Sequence, residues 1–380
     1  MKQPHIVING LSALIGGGQT YLINLLRYAE QHDMKVTVLS PPQLVEKLIN
    51  NNVDIISVPQ VTRGLIYRTI WEFLQLPKLL RDLKADIVYF PGGSISSFVP
   101  KGIKSAVAFR NMLPFSKVER QRYPLGLKRA RLFFLRFLQL NSFNSADLVI
   151  FISQYAKTVI DQISPKRRGK SVVIPHGLGE QFRRKALVPS KPNFLPEEYA
   201  LYVSILNPYK AQLEVIKAWK QLRKLRKTPE KLVLVGEEFE AYGTQVRQLI
   251  IDCNLQDEVL YIGKVEYAHL PAVYQHAKVN LFASSCENCP NILLEALGSG
   301  TPVLSSNYQP MPEFAEDAAV YFDPYNPNEL ALILANILDD SAKLQEMAQK
   351  SLVQSKKYDW IISANQTWEA LINLTKGADL

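Results

Sequence analysis

Two glutamates, Glu287 and Glu295, stand eight positions apart in the stretch LFASSCENCPNILLEALGSGTPVLSS, residues 281–306. Carboxylates accept hydrogen bonds from sugar diols. If both lay on one helix, a rise of about 1.5 Å per residue would set them roughly 12 Å apart along its axis. Amides at the helix start, around Asn288, Pro290 and Asn291, would suit a phosphate. One acid for each of two sugars, with a helix dipole for phosphate, fits a nucleotide sugar. Spacing alone leaves open that both glutamates line a solvated helix face.

The elements that would position them are legible nearby. An apolar run at 279–283 reads as a strand and ends in a small polar loop that carries Glu287. Pro290 opens a short helix, Gly298 and Gly300 stop it, and 302–306 is a second strand. In open α/β sheets, ligands collect outside the carboxyl ends of such strands. Cys286 and Cys289 form a C-x-x-C in the same loop, with Cys253 the third cysteine. Three cysteines make no disulfide framework. Without a second pair, and with His269 and His276 lacking ligand spacing, zinc is not expected.

Glu287, Glu295 and the following Ala-Leu-Gly-Ser-Gly-Thr-Pro-Val resemble the donor-site signature of the retaining glycosyltransferases of family 4. Other landmarks recur in order along nearly the whole chain: Gly16-Gly17-Gly18-Gln19-Thr20, Ala85-Asp86-Ile87-Val88-Tyr89, Ala146-Asp147-Leu148-Val149-Ile150 before Ser153, Val173-Ile174-Pro175-His176-Gly177, and Tyr202-Val203-Ser204 before Lys210. LVLVG at 232–236 and VLYIG at 259–263 continue the series. Arg110-Asn111-Met112-Leu113-Pro114 is similar to members that build bacterial surface polysaccharides.

The resemblance implies a GT-B architecture, two Rossmann-like doubly wound parallel-sheet domains facing a cleft. It implies transfer of a sugar from a nucleoside diphosphate sugar to a glycan or polyprenyl-diphosphate-linked acceptor, with retention, no divalent metal and no cofactor. It gives Glu295 the donor's ribose hydroxyls, Glu287 the transferred sugar near its reacting face, and Lys210 the diphosphate. Amides around Asn288–Asn291 would reach the sugar and diphosphate. Gly17 and Gly18 would lie across the cleft, near the donor's sugar or phosphates. Two positions depart from the family pattern. Ile205 stands where an arginine is common, and Arg110-Asn111 where many members carry a cleft histidine. Arg110 would supply the missing cation or meet a phosphorylated acceptor.

A chain of 380 residues is long for one core. Strand and helix alternation, broken by the proline-rich stretch 181–198, divides it into residues 1–190 and 199–357. By the resemblance, a last helix at 359–380 crosses back to the first domain, anchored by Trp360 and Trp368. The start, MKQPHIVING, enters a strand directly and no apolar run reaches spanning length. The expected location is therefore cytoplasmic, and the resemblance implies a peripheral place at the inner face of the plasma membrane.

Charge is uneven. Residues 1–190 carry 27 Lys and Arg against 11 Asp and Glu, a balance of +16, and the remainder is −7. Such asymmetry points to an anionic partner. Nucleic acid is disfavoured, because no recognisable binding module is present. Residues 117–140 interleave seven cations with Leu and Phe, which fits an anionic membrane surface. Phe133, Phe137 and Leu140 packing on the sheet is the alternative. The glycines after the first strand lack G-x-G-x-x-G spacing and the second strand ends without an acid, so NAD is not expected. If Arg110 serves a phosphorylated acceptor, Arg110→Ala weakens acceptor use more than donor hydrolysis in paired assays; equal losses in both would contradict that role.

Overall fold

The computed structural model describes residues 3–14, 16–48, 53–185, 188–227, 230–238 and 240–376. The chain divides into two compact units, Met1–Gly177 with Trp360–Leu380, and Leu178–Asp359. The stretch 181–198 belongs to the second unit, so the division falls earlier than its prolines suggest.

The first unit holds seven strands: β1 (His5–Asn9), β2 (Lys35–Ser40), β3 (Asp54–Ser57), β4 (Ile87–Phe90), β5 (Lys104–Phe109), β6 (Leu148–Phe151) and β7 (Lys170–Val173). Their order is β3-β2-β1-β4-β5-β6-β7, and every pairing is parallel. β4 (IVYF) and β6 (LVIF) are buried throughout, as strands covered on both faces must be. The Ala-Asp motifs have a local reason. Asp86 Oδ2 accepts the His5 amide at 2.9 Å and Asp147 Oδ2 accepts the Ser105 amide at 2.8 Å. Each aspartate thus ties the entry of its own strand to the neighbouring one.

The helices of this unit are α1 (Gly17–Arg27), α2 (Pro42–Leu48), α3 (Leu65–Asp82), α4 (Lys117–Arg122), α5 (Leu127–Ser145) and α6 (Gln154–Ile163). Pro42 opens a helix rather than merely breaking the chain, since a first-turn proline sacrifices no helical hydrogen bond. The helical segment expected after β5 is two helices, interrupted around Pro124 and Gly126. Ser153 caps α6, its Oγ accepting the Ala156 amide at 3.1 Å.

The second unit holds β8 (Tyr199–Val203), β9 (Lys231–Val235), β10 (Val259–Gly263), β11 (Val279–Phe282), β12 (Val303–Ser306) and β13 (Ala319–Phe322). Their order is β10-β9-β8-β11-β12-β13, again all parallel. Around them lie α7 (Gln212–Leu225), α8 (Glu240–Asp252), α9 (Leu270–Gln275), α10 (Asn291–Gly298), α11 (Met311–Ala315), α12 (Pro327–Ile337) and α13 (Ser341–Ser355). In each unit the winding reverses between two neighbours, β1 and β4 in the first, β8 and β11 in the second. The carboxyl ends of those pairs are where a ligand crevice forms.

The last helix, α14 (Trp360–Lys376), belongs to the first unit. It buries Trp360, Ala364, Trp368 and Leu371, spaced by three or four residues, and packs against α1. Trp368 is fully buried and its indole donates to the Leu25 carbonyl at 3.0 Å. Trp368→Ala removes that bond and leaves a cavity, so it should cost about 3–5 kcal/mol. Chemical denaturation checks this: the transition that unfolds the first unit moves to lower denaturant, and an unmoved midpoint would mean α14 is only loosely docked.

Candidate functional site

In the second unit, the chain leaves β8 through Ser204 and Ile205 into a tight turn, Pro208–Lys210. The Tyr202 hydroxyl, one residue from the strand end, donates to the Lys210 carbonyl at 2.5 Å and fixes the turn. Ala211 follows at φ +53°, left-handed backbone held by a non-glycine residue. The neighbouring loop, after β11, is fastened to this turn: the Ser285 amide donates to the Tyr209 carbonyl at 2.8 Å, and Ser285 Oγ does so at 3.1 Å. Tyr325 holds Ser285 from the other side, its hydroxyl 2.7 Å from Ser285 Oγ.

This fastening brings Lys210 and Glu287 together, although 77 positions separate them. Lys210 Nζ donates to Glu287 Oε1, and Ser284 Oγ reaches the same oxygen at 2.6 Å. Both side chains are largely buried, Lys210 more than Glu287. The ammonium also lies 5.2 Å from the Tyr209 ring centre and 5.4 Å from that of Phe282, within range of cation–π attraction.

Glu287 is in the loop, and only Asn291–Gly298 is helical. The axial distance of roughly 12 Å for a shared helix therefore does not apply. Pro290 occupies the position before α10 and gives it no side-chain cap, while Asn288 is buried beside it. Glu295 is the fifth residue of α10. Its Oε2 accepts from the Tyr274 hydroxyl of α9 at 3.0 Å. Burial pushes the Glu295 carboxyl up to about 8, against the opposing pull of the Tyr274 bond. Burial and the adjacent Glu295 together raise the Tyr274 hydroxyl well above its ordinary value.

In the first unit, Gly16 alone of the three glycines takes a positive φ, +64°. Gly17 and Gly18 are the first residues of α1 rather than part of an open turn. Gly18 lies close against Ala13, where an added Cβ would sit 3.4 Å from the Ala13 Cα. Arg110 directly follows β5, and its Nη2 donates to the Gly17 carbonyl at 2.7 Å. Its guanidinium sits 4.6 Å over the Tyr21 ring, and the Tyr21 hydroxyl meets that of Tyr89 at 2.6 Å. The structure thus gathers Arg110 with Gly17 in one unit, and Lys210 with Glu287 in the other.

Sequence reading missed Tyr274, Ser284 and Tyr21. Ser284 could have been found, as a small hydroxyl three residues before Glu287. Tyr274 carries no local signal, because it reaches Glu295 from another helix. Ile205 is 42% exposed, with its carbonyl held by Gln212 at 2.9 Å. Cys253, Cys286 and Cys289 are not joined in a disulfide. Among the described residues no group of three His, Cys, Asp or Glu side chains is placed to hold a metal ion.

Two family models match the chain in tandem, "Glycosyltransferase Family 4" over residues 15–181 and "Glycosyl transferases group 1" over residues 184–352. O-antigen chain mannosyltransferase B of Escherichia coli is 24% identical over 60% of this chain and 61% of its own length. The serotype-specific mannosyltransferase WbdA of Escherichia coli is 24% identical over 72% of this chain and 34% of its own. The chain therefore matches about three fifths of one relative and a third of the other. HepE of Anabaena, solved in complex with UDP and glucose, superposes with a TM-score of 0.73 at 19% identity, covering 98% of this chain and 100% of that one. With both family models in register on the two parallel-sheet units, the chain belongs to glycosyltransferase family 4 and has the GT-B fold.

Proposed function

We propose that the chain is a retaining glycosyltransferase. In this reading it moves a hexose-type sugar from a nucleoside diphosphate sugar to a hydroxyl of a glycan or lipid-linked acceptor in cell-surface polysaccharide synthesis. The observation that carries this reading is the meeting of Lys210 and Glu287 at the β8/β11 switch point, beside the N-terminus of α10. One relative is an O-antigen chain mannosyltransferase and another a serotype-specific mannosyltransferase, and HepE was solved with UDP and glucose; these support the donor class.

In the proposed reaction the bond from the anomeric carbon to the diphosphate oxygen breaks, and a bond to the acceptor oxygen forms on the same face. The acceptor's proton passes to the leaving phosphate. Negative charge therefore grows on the diphosphate, where preorganised cations and amides act most strongly. Lys210 has three donors, and Glu287 engages one, leaving the ammonium able to hold Glu287 and a phosphate oxygen together. The first turn of α10 adds its amides and the positive end of its dipole. Glu287 would meet the transferred sugar and Glu295 the ribose diol. Arg110 would meet a phosphorylated acceptor or supply the missing diphosphate cation, and Gly17 and Gly18 would serve the donor's sugar or phosphates. No cofactor or divalent metal enters this scheme, in which Lys210 and the amides meet the leaving charge.

Lys210→Met should lower kcat of the folded protein by about 10²–10³-fold, and by leaving the largely buried Glu287 carboxylate unpaired it should also cost about 3–5 kcal/mol of stability. Turnover of sugar nucleotides by the purified protein, with and without the substitution, decides the matter; undiminished turnover in the variant would remove Lys210 from the chemistry. Ile205, exposed where the family pattern has arginine, favours a second reading, a silent sugar-nucleotide-binding protein. Donor binding without turnover by the unaltered chain would establish that reading instead.

Glu295 gives a pH signature. With its pKa near 8, the free carboxyl holds its proton at neutral pH. Two ribose hydroxyls donating to both carboxylate oxygens favour the charged form, so in this reading donor binding expels that proton. Donor binding at pH 7 should release roughly 0.9 proton, and affinity should rise with pH before levelling off above about 8. Calorimetry in buffers of different ionisation heat measures this, and Glu295→Gln should abolish the release. Proton-neutral binding by the unaltered protein would exclude a charged Glu295 as the ribose acceptor.

A further inference from the structure

In the first unit, right-handed crossovers place α3, the segment 91–103 and α5 on one face of the sheet, in that order. Segment 91–103 has no helix. It touches α3 through Phe98, whose ring lies 6.5 Å from that of Phe73, and α5 through the Ile95 amide, which donates to Ser142 Oγ at 2.9 Å. The layer between the two helices is therefore thin, and their outer sides stay open.

Those sides are apolar. Ile66, Ile70 and Phe73, spaced by four and three along α3, are 73%, 51% and 57% exposed. Phe98 continues the patch, and Phe134 and Phe137 of α5 are 62% and 67% exposed. Nothing in α5 before Gln139 is buried, nor anything in α3 before Glu72. Packing of Phe133 and Phe137 on the sheet, the alternative left open by the sequence, is thus not what the fold does: both rings are at the surface.

The charge around this face has one sign. Residues 59–81 and 110–145 contain two acids, Glu72 and Glu119. Both are buried and face cations, Arg68 at 3.9 Å and Arg122 at 3.1 Å. Lys117, Lys128 and Arg131 stay at the surface, and the Arg120 guanidinium lies 4.9 Å from the centre of the Phe133 ring. A second copy of this face would bring cations against cations, which disfavours self-association. An anionic bilayer satisfies both features, taking rings into its interface and cations onto its head groups.

Direction supports the same occupant. Both helices run from the carboxyl end of one parallel strand to the amino end of the next, so their exposed first halves lie at the carboxyl end of the sheet. Gly17 and Arg110 stand at that end, directly after the loop of β1 and after β5. We propose that the first halves of α3 and α5, with Phe98 between them, form a docking surface for an anionic bilayer, presenting the Arg110 end of the first unit to the head-group layer. No described helix is long and apolar enough to cross the membrane, so the surface would lie on it.

The test uses the full chain and vesicles of phosphatidylcholine, alone or mixed with phosphatidylglycerol, with no donor or acceptor present. Cosedimentation should show at least about tenfold stronger partitioning onto the mixed vesicles, diminished by salt. Phe134→Ser with Phe137→Ser, and separately Lys128→Glu with Arg131→Glu, should each weaken it at least about tenfold while the melting temperature holds. Equal partitioning onto neutral vesicles, no partitioning at all, or a concentration-dependent dimer that the same substitutions dissolve would overturn the proposal. Because no sugar nucleotide is present, failure here leaves the transferase reading untouched, and the Lys210 assay leaves this one untouched.

Discussion

A buried ammonium held against a buried carboxylate, Lys210 on Glu287, is the constraint on which the second unit's crevice depends. Removing two charges from water costs several kcal/mol per ion, and their attraction offsets this only with good geometry and further hydrogen bonds. Those supports are present: Ser284 on the carboxylate, two aromatic rings near the ammonium, and Tyr202 and Ser285 fastening the two loops. Hydrophobic residues of similar size would serve stability as well. What they would not supply is a cation, already desolvated, that an incoming phosphate can share.

The two glutamates show how environment divides one residue type into two roles. Glu287 has a cation and a hydroxyl within reach. The hydrogen-bond partner seen for Glu295 is a neutral phenol, in a setting where Phe182 lies 5.3 Å from the Tyr267 ring and 5.9 Å from the Tyr274 ring. Desolvation then raises its carboxyl, as it does for acids in apolar pockets. In the proposed reading, the ribose diol would meet there a group whose charge burial suppresses, and donor recognition would be coupled to proton release.

The alternation of strand and helix was readable because parallel strands buried on both faces leave long apolar runs, such as LVLV in β9, that nothing else explains. Strand boundaries differed by one or two residues, since hydrogen-bonded ladders end where registers do and not where apolarity does. That Lys210 and Glu287 serve one site was implied by the family resemblance. Their direct contact was not, because it depends on a loop-to-loop bond between Ser285 and Tyr209 that no periodicity encodes. Tyr274 was invisible for the same reason. The division of the chain at 177 rather than within 181–198 shows that prolines mark an extended segment without marking where packing changes partner.

The basic balance of the first half also means more in the fold than in the count. Several of its few acids are engaged inside: Asp86 on the His5 amide, Asp147 on the Ser105 amide, Glu72 on Asn9 Nδ2 at 2.9 Å, and Glu119 beside Arg122. Acids spent on tying strands and helices together are not placed among the exposed cations of α5. Arg120 feels this directly, its pKa lowered first by burial and then by the neighbouring Arg136 and Arg129. Crowding cations next to exposed phenylalanines works against the isolated fold. In the proposed docking, counter-charges from an anionic surface would both relieve the repulsion and cover the rings.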